Sequence, residues 1–463
     1  MSFTSRIKIE DLINNGSILV HKDGNHGAKY PRTEEFGELG VPFLTAKLLD
    51  NSGNIDLLKA PRLAKEKAQK FTFGFVQPED VLLSHNATVG RVAVMPQVDE
   101  PILIGTSLTH FRLDKSKILP TYLAAYFSGK DFQDQLAAVM SQTTRNQVPI
   151  TSQRKLYIEL PSIEIQAEIV KYIDSIDNKI RLNNKINQTL ESIAQAIFKS
   201  WFIDFDPVRA KIVAKQEGKD SELAAMCAIS GKSEAELKQM SEDDFAELQA
   251  TAALFPDELV ESELGDVPKG WEVKALDRIA SYQNGLALQK FRPEDENEFL
   301  PIVKIAQLKS GIATIEEKAS PNIDAKSIID NGDVVFSWSG SLVVDIWCGG
   351  KAALNQHLFK VTSNQYPKWL YYYYTKHHLA EFQRIAQAKA VTMGHIKREH
   401  LSQALCTVPC EKILDAIGIL ESVLQKQIKF RLENYNLMKI RDTLLPKLLS
   451  GEVSVEDIKQ QQD

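Results

Sequence analysis

The sequence predicts an α+β fold built twice over: two similar globular domains separated by two long antiparallel coiled-coil helices, an internal pseudo-twofold repeat. Three observations carry this expectation. Landmarks recur in the same order through both halves, short β-like runs mix with helical patterns in each half, and each half closes on a long apolar stripe at helical spacing.

The landmarks fix the repeat. Pro-Glu-Asp-Val-Leu-Leu-Ser (78–84) is echoed by Asn-Gly-Asp-Val-Val-Phe-Ser (331–337), and Pro-Thr-Tyr-Leu-Ala-Ala-Tyr-Phe (120–127) by Pro-Lys-Trp-Leu-Tyr-Tyr-Tyr-Tyr (367–374). Phe111 and Phe359 share an offset of 248 with Pro161 and Pro409, and Pro120 and Pro367 differ by 247. Offsets that agree across dissimilar segments favour duplication over coincidental apolar punctuation.

The elements follow in chain order. Globular domains are expected at 1–158 and 268–407, each with short β-like runs (Val81–Ser84, Arg91–Met95, Ile102–Ile104; Val334–Trp338, Leu342–Trp347) between Gly, Pro and Asn turns. Helical patterns at 120–140 and 367–388 complete the α+β mixture. A first long helix is expected at 159–202, with a seam of Ile165, Ile169, Tyr172, Ile176, Ile180, Leu190, Ile193 and Ile197. The second, at 408–450, carries Ile413, Ile417, Leu420, Leu424, Ile428, Leu432, Tyr435, Met438 and Leu445. Ser162 and Cys410 stand at the cap positions, and Asn183, Asn184 and Asn187 interrupt the first seam, where polar groups fix register at a cost in stability. About 38 residues at 1.5 Å each make a rod of roughly 57 Å. An acidic helical connector (203–267) with short helical patterns at 221–229 and 233–254 links the halves, and 451–463 forms a C-terminal tail.

Composition narrows the class. The chain has 463 residues, room for about three domains, and is 43% hydrophobic and 25% charged, as a globular protein is. No apolar stretch is long enough to span a bilayer, and the N-terminus lacks a secretory core. Four cysteines in so long a chain suit reduced thiols, so a cytoplasmic protein with no membrane partner is expected. The net charge of −6 looks wrong for a polyanion binder. Between Gln216 and Asp266, however, 14 acidic residues face 3 basic ones, so the remainder is net positive.

No motif for catalysis stands out. Gly231-Lys232-Ser233 has Met226 where a phosphate loop needs glycine, and no His-Glu-x-x-His or Gly-x-Ser-x-Gly occurs. Asp257, Glu272 and Lys274 resemble a magnesium-dependent nuclease trio, but the pattern is common and Asp257 lies in the acidic connector. Cys406, Cys410 and His400 lack a second close pair for zinc, so no metal site is expected. Asp204 and Asp206 alternate with aromatics and read as helix-terminating residues.

Nucleic-acid binding has better support. The Gly-rich segment 21–32 offers His21, Lys22, His26, Lys29, Tyr30 and Arg32 for phosphates and base edges, and 141–148 offers Thr143, Thr144, Arg145, Asn146 and Gln147. The second half supplies Gln289, Lys290, Arg292, Lys304, Gln307, Lys309 and Trp338. It also supplies Lys389, Thr392, His395, Lys397 and Arg398, in the segment corresponding to 141–148. Each is weak alone, and their recurrence at equivalent places strengthens them.

The chain then resembles the specificity (S) subunit of type I restriction–modification systems over nearly its whole length. The resemblance rests on Ile-Phe-Lys-Ser-Trp-Phe-Ile-Asp-Phe-Asp-Pro-Val-Arg-Ala-Lys (197–211), Ala-Ala-Leu-Phe-Pro-Asp (252–257), Ser-Glu-Leu-Gly-Asp-Val-Pro-Lys-Gly-Trp-Glu-Val (262–273) and Arg-Asp-Thr-Leu-Leu-Pro-Lys-Leu-Leu-Ser-Gly-Glu-Val-Ser-Val (441–455). Asp-Gly-Asn-His-Gly-Ala-Lys-Tyr-Pro (23–31) is similar to a frequent opening of the family's target-recognition domain. It implies two target-recognition domains on double-stranded DNA, each reading half of a bipartite target, with the helices as spacer, and the differing loop sequences of the two halves make that target asymmetric. It also implies two methyltransferase (modification) subunits and restriction motor–nuclease subunits as partners. AdoMet, ATP and Mg²⁺ would belong to those partners, leaving this chain non-catalytic and without a cofactor. Trp201, Phe202, Phe205 and Leu445, near the rod ends, are expected as exposed docking residues. A protein-binding adapter and a nuclease using Asp257, Glu272 and Lys274 are the competing readings.

Overall fold

Val-Leu-Leu (81–83), which opens the strand Val81–Asn86, is an apolar run without polar alternation, as a strand shows when both its faces are covered. In the computed structural model, which describes residues 4–24, 30–50, 53–141, 146–314, 316–388, 394–450 and 452–453, that is its situation. Val81 and Leu83 enter one apolar core with Phe111, Tyr122 and Phe127, while Leu82 enters another with Ala93, Ile102 and Leu108. The second half repeats the device: Val334 and Phe336 face one core and Val335 the other.

The chain divides into two units, Met1–Leu182 with Asn436–Asp463, and Asn183–Tyr435. In the first, a four-stranded antiparallel sheet runs in the order Ile18–Asp23, Leu108–Leu113, Val81–Asn86, Thr88–Val94. A second sheet sets Val41–Leu44 parallel to Ile102–Ile104, and Thr4–Lys8 pairs with Tyr157–Pro161. The second unit has the same plan. Its antiparallel sheet runs Ser281–Asn284, Leu358–Thr362, Val334–Ser337, Val344–Ile346. Leu300–Val303 lies parallel to Ala352–Leu354, and Glu272–Ala275 pairs with Leu405–Val408.

The helices depart from the sequence reading in instructive ways. The pattern at 120–140 is two helices, Pro120–Ser128 and Lys130–Met140, because Gly129 is extended (φ −75°, ψ 158°). A Cβ on Gly129 would stand 3.0 Å from Leu445 Cδ2, so the break lets the long helix approach closely. The counterpart, Lys368–Ala388, is continuous. The first long helix spans Ile163–Phe198 and ends in a π-helical turn, Lys199–Ile203. Phe205 is left-handed (φ 57°), and Lys199 pairs with Asp204, so this aspartate closes a helix end. The second long helix is interrupted: Glu411–Ala416 stops at the buried, non-helical Ile417 and Gly418–Ser450 follows.

The seams also differ from expectation. Ile193 is 44% exposed and Ala194 is buried in its place. In the second helix, Ile417, Leu420, Leu424, Gln427, Asn434, Leu445 and Leu448 are buried, with half-buried Arg431, Met438 and Arg441 at the intervening heptad steps. Four of these ten seam positions are polar, which is why an apolar count misses them. In the second unit Asn434 bonds Asn183 (3.0 Å) and Asn184 (2.8 Å), and Gln427 donates to Glu191 (2.9 Å), so this part of the pair runs antiparallel. In the first unit Arg441 pairs with Asp177 at 3.0 Å. The connector forms Asp206–Gln216, Ser221–Ser230, Glu234–Leu237 and Glu242–Ala253 around a small core of Ala225, Met226, Leu237 and Ala252. Among the described residues no helix is long and apolar enough to cross a membrane.

Candidate nucleic-acid interface

In each unit the edge strand of the antiparallel sheet ends against a tight turn. Ile18–Asp23 runs into Gly24, where a Cβ would collide with the backbone of Ile104 and Gly105. Ser281–Asn284 runs into Gly285, where a Cβ would collide with the backbone of Leu354 and Asn355. Glycine is required at both places because two backbones touch. The turn residues are Gly105-Thr106-Ser107 in one unit and Asn355-Gln356-His357 in the other.

The same backbone hydrogen bonds hold both turns. Gly105 N donates to Leu44 O and Asn355 N to Val303 O; Leu108 N donates to Gly105 O and Leu358 N to Asn355 O; His85 N donates to Ser107 O and Trp338 N to His357 O. The segments beginning at Asn146 and Gly394 dock equivalently. Ala87 N bonds Asn146 O and Val148 N bonds His85 O, just as Gly340 N bonds Gly394 O and Ile396 N bonds Trp338 O. The expectation that 141–148 and 389–398 occupy corresponding places therefore holds for their described residues.

Side chains on this shared frame differ. Around the second turn, Trp338 Nε1 donates to Gln356 O (3.1 Å), Asn284 Nδ2 reaches the same carbonyl (3.3 Å), and Ser339 Oγ lies 2.8 Å from His357 Nδ1. Arg398, exposed, donates to Asn284 Oδ1 (2.8 Å) and Tyr282 O (3.2 Å), and His395 meets the Trp338 ring edge-on at 6.3 Å. So Trp338, His395 and Arg398 come together, with Asn284, Gln356 and His357 that sequence reasoning missed. The available signal was a polar Asn-Gln-His between two apolar runs.

Gln289, Arg292 and Lys304 line a cleft of about 330 Å³ with Asn355. Lys304 is held by Glu317 at 2.5 Å, and Gln307 Oε1 caps the Lys304 N–H at 3.2 Å, so both act locally. Lys290 is exposed; Lys309 lines a different cleft, with Gly340 and Gly394; Lys397 pairs with Glu399 at 3.4 Å.

In the first unit Lys22 is exposed with its ammonium over the Phe73 ring, Tyr30 is 39% exposed against the Phe43 edge, and Arg32 is exposed near Glu34. Asn146 is exposed and Gln147 bridges to Asn86. His26, Lys29, Thr143, Thr144, Arg145, Lys389 and Thr392 lie outside the described residues.

Two expectations are corrected. His21 is not available to a ligand: it is 6% exposed, packs on Phe111 and donates from Nε2 to Gln153 Oε1 at 3.1 Å. Burial pushes its pKa down to about 4, so it is neutral. Trp201, Phe202, Phe205 and Leu445 are not an exposed docking face either. The three aromatics pack with Phe255, Trp271 and Trp369, and Leu445 joins the first unit's core. Near helix ends these large side chains had internal partners that the linear sequence hides.

Two members of the nuclease trio pair with each other, and the third is held by a different lysine. Asp257 pairs with Lys215 (2.7 Å), while Lys274 pairs with Glu272 (2.6 Å) and donates to Tyr366 (2.8 Å). Cys406 is buried with its thiol pushed well up by burial, and Cys410 is exposed. Among the described residues no three His, Cys, Asp or Glu side chains form a group that could hold a metal.

Segments 9–192 and 268–440 match the family described as "Type I restriction modification DNA specificity domain". The "Type I restriction enzyme HindI specificity subunit" of Haemophilus influenzae is 30% identical over 385 residues, 79% of this chain and 84% of that protein. The MjaIX specificity subunit of Methanocaldococcus jannaschii is 25% identical, covering 93% of this chain and 91% of its own length. The crystal structure of a type I system S subunit from M. genitalium superposes over 96% of each chain with a TM-score of 0.46 and 13% identity.

Proposed function

This chain belongs to the type I restriction–modification DNA specificity family, and we propose that it is the non-catalytic subunit that reads a bipartite, asymmetric DNA target. In this reading each unit recognises one half-site in double-stranded DNA, and the chain docks two methyltransferase subunits and the restriction motor–nuclease subunits. AdoMet, ATP and Mg²⁺ belong to those partners. The observation that carries the reading is the doubled turn: one backbone frame, used twice, presents Gly-Thr-Ser in one unit and Asn-Gln-His in the other. A frame held constant under differing polar side chains suits readers of two different sequences, and two different readers make the target asymmetric.

The paired helices act as the ruler in this proposal. Inserting one heptad in both adds about 10 Å, or about three base pairs of B-DNA. Methylome sequencing of cells expressing the altered chain with a methyltransferase partner should report both half-sites unchanged and the unread gap wider. Methylation at the original gap would sink the ruler. Binding to duplex DNA should also weaken steeply with salt, as phosphate contacts require. A salt-independent complex with proteins alone would favour the adapter reading.

A further inference from the structure

We infer that Gln356 is a specificity-determining residue of the second unit and that it reads an adenine; this rests on the DNA-reading function proposed above. The argument is one of hydrogen-bond capacity. A glutamine amide offers two N–H donors and a carbonyl with two lone pairs. Here Gln356 Oε1 accepts from Asn355 Nδ2 at 3.1 Å, which fixes which end of the amide is oxygen. His357 Nδ1 faces Ser339 Oγ at 2.8 Å, and its Nε2 lies 3.5 Å from Gln356 Nε2. With the His357 proton on Nδ1, donating to Ser339, Nε2 accepts one N–H of Gln356. The amide then retains one donor and one acceptor side by side, uncommitted among the described residues. That pair complements the N7 acceptor and N6 amino donor of adenine in the major groove.

The amide is also held in place. Gln356 O accepts from Trp338 Nε1 and Asn284 Nδ2, and Asn355 Oδ1 accepts from His357 N at 3.2 Å, so backbone and side chain are fixed from several sides. Gln356 is half-buried on a turn next to Asn355, which lines a cleft where Arg292, Lys304 and Lys318 are balanced in part by Glu316 and Glu317, and the exposed Arg398 grips Asn284. A pre-oriented amide with the exposed Arg398 close by is positioned for a base edge beside a phosphate. Thr106 holds the equivalent position in the first unit, equally half-buried, and its hydroxyl carries donor and acceptor on one oxygen rather than side by side on two atoms.

The test is selection from a random duplex pool at low salt by the full-length chain assembled with its methyltransferase subunits, comparing wild type with Gln356→Ala, Gln356→Glu and Thr106→Ala, each checked for an unchanged thermal melt. Wild type should enrich a motif with an A·T pair at one position. Gln356→Ala should lower preference there about tenfold while leaving the other positions intact. Gln356→Glu, nearly isosteric but acceptor-only, should move the preference toward cytosine, whose N4 amino group donates. Thr106→Ala should leave that position alone. Gln356 variants that fold and select the wild-type motif at every position would overturn this assignment while leaving DNA reading intact. A wild-type complex that enriches no motif would overturn both.

Discussion

The two units solve one problem with different chemistry. Each ties the start of its central strand to the neighbouring strand through an aspartate. In the first unit Asp80 is 1% exposed and bonds Arg112 through both oxygens (2.7 and 2.9 Å) and His110 (3.1 Å). In the second, Asp333 is only half-buried and meets Lys360 at 2.8 Å. The backbone bonds around both are alike: Met95 N donates to Asp80 O, and Trp347 N to Asp333 O. The comparison teaches that the scaffold resides in main-chain geometry. Side chains on it, structural or functional, exchange freely as long as buried charges keep partners.

The largest expected effect breaks that comparison. Asp80→Ala strands a partly buried arginine and should cost about 3–5 kcal/mol, measured by denaturant unfolding. Asp333→Ala removes a more accessible pair and should cost about 1 kcal/mol or less. Equal losses would show that the two clamps do the same work despite their different burial.

Gly24→Ala and Gly285→Ala should instead behave alike, each costing about 2 kcal/mol, because both place a methyl against the backbone of the opposing turn. A harmless substitution at one position only would mean the two turns are not the same device.

Acid should sharpen the comparison further. Burial would raise the Asp80 carboxyl, but hydrogen bonds from His110 and Arg112 outweigh it and hold the carboxyl below its ordinary range. Its contribution is therefore intact above the unfolded carboxylate pKa and is lost as pH falls through the lower folded value. His21 and His378 add a second window, one in each unit. Burial lowers both from 6.5 to about 4, so the unfolded chain takes up protons first. Both units should lose stability as pH drops from 6.5 to about 4, with no further histidine effect below. His21→Gln should flatten that slope for the first unit alone, read by hydrogen exchange on its strands.

The smallest effect concerns the helix seam. Asn434→Ala removes the partner of Asn183 and Asn184 and should cost about 1 kcal/mol in thermal unfolding of the full chain. An unchanged melting temperature would mean the polar seam contributes register without stability.

Much of the architecture was legible in the residues. Duplication, the two long helices and the α+β mixture follow from Pro120, Pro161, Pro367 and Pro409 and from the apolar periodicity around them, since backbone limits and burial period are local properties. The seam was only half legible, because Gln427, Arg431, Asn434 and Arg441 occupy apolar-looking positions with polar partners supplied by other segments. The candidate interface was legible as segments and not as residues. The structure brings Trp338, His395 and Arg398 together around the second turn, whereas the placement of Gln356 and His357 beside them and the burial of His21 depend on segments distant in the chain.

By itself, the sequence determined that this protein is a repeated pair of α+β domains with long helices, and it pointed to the family. Periodicity and turn chemistry suffice for that, because they act between residues near in the chain. Only the tertiary structure decided which side of each side chain faces a core. Trp201, Phe202 and Phe205 are buried and Gln356 is presented because residues such as Trp271, Trp369, Asn284 and Trp338, distant in sequence, arrive beside them. Burial and hydrogen-bond satisfaction are properties of such arrivals, and no local pattern encodes them.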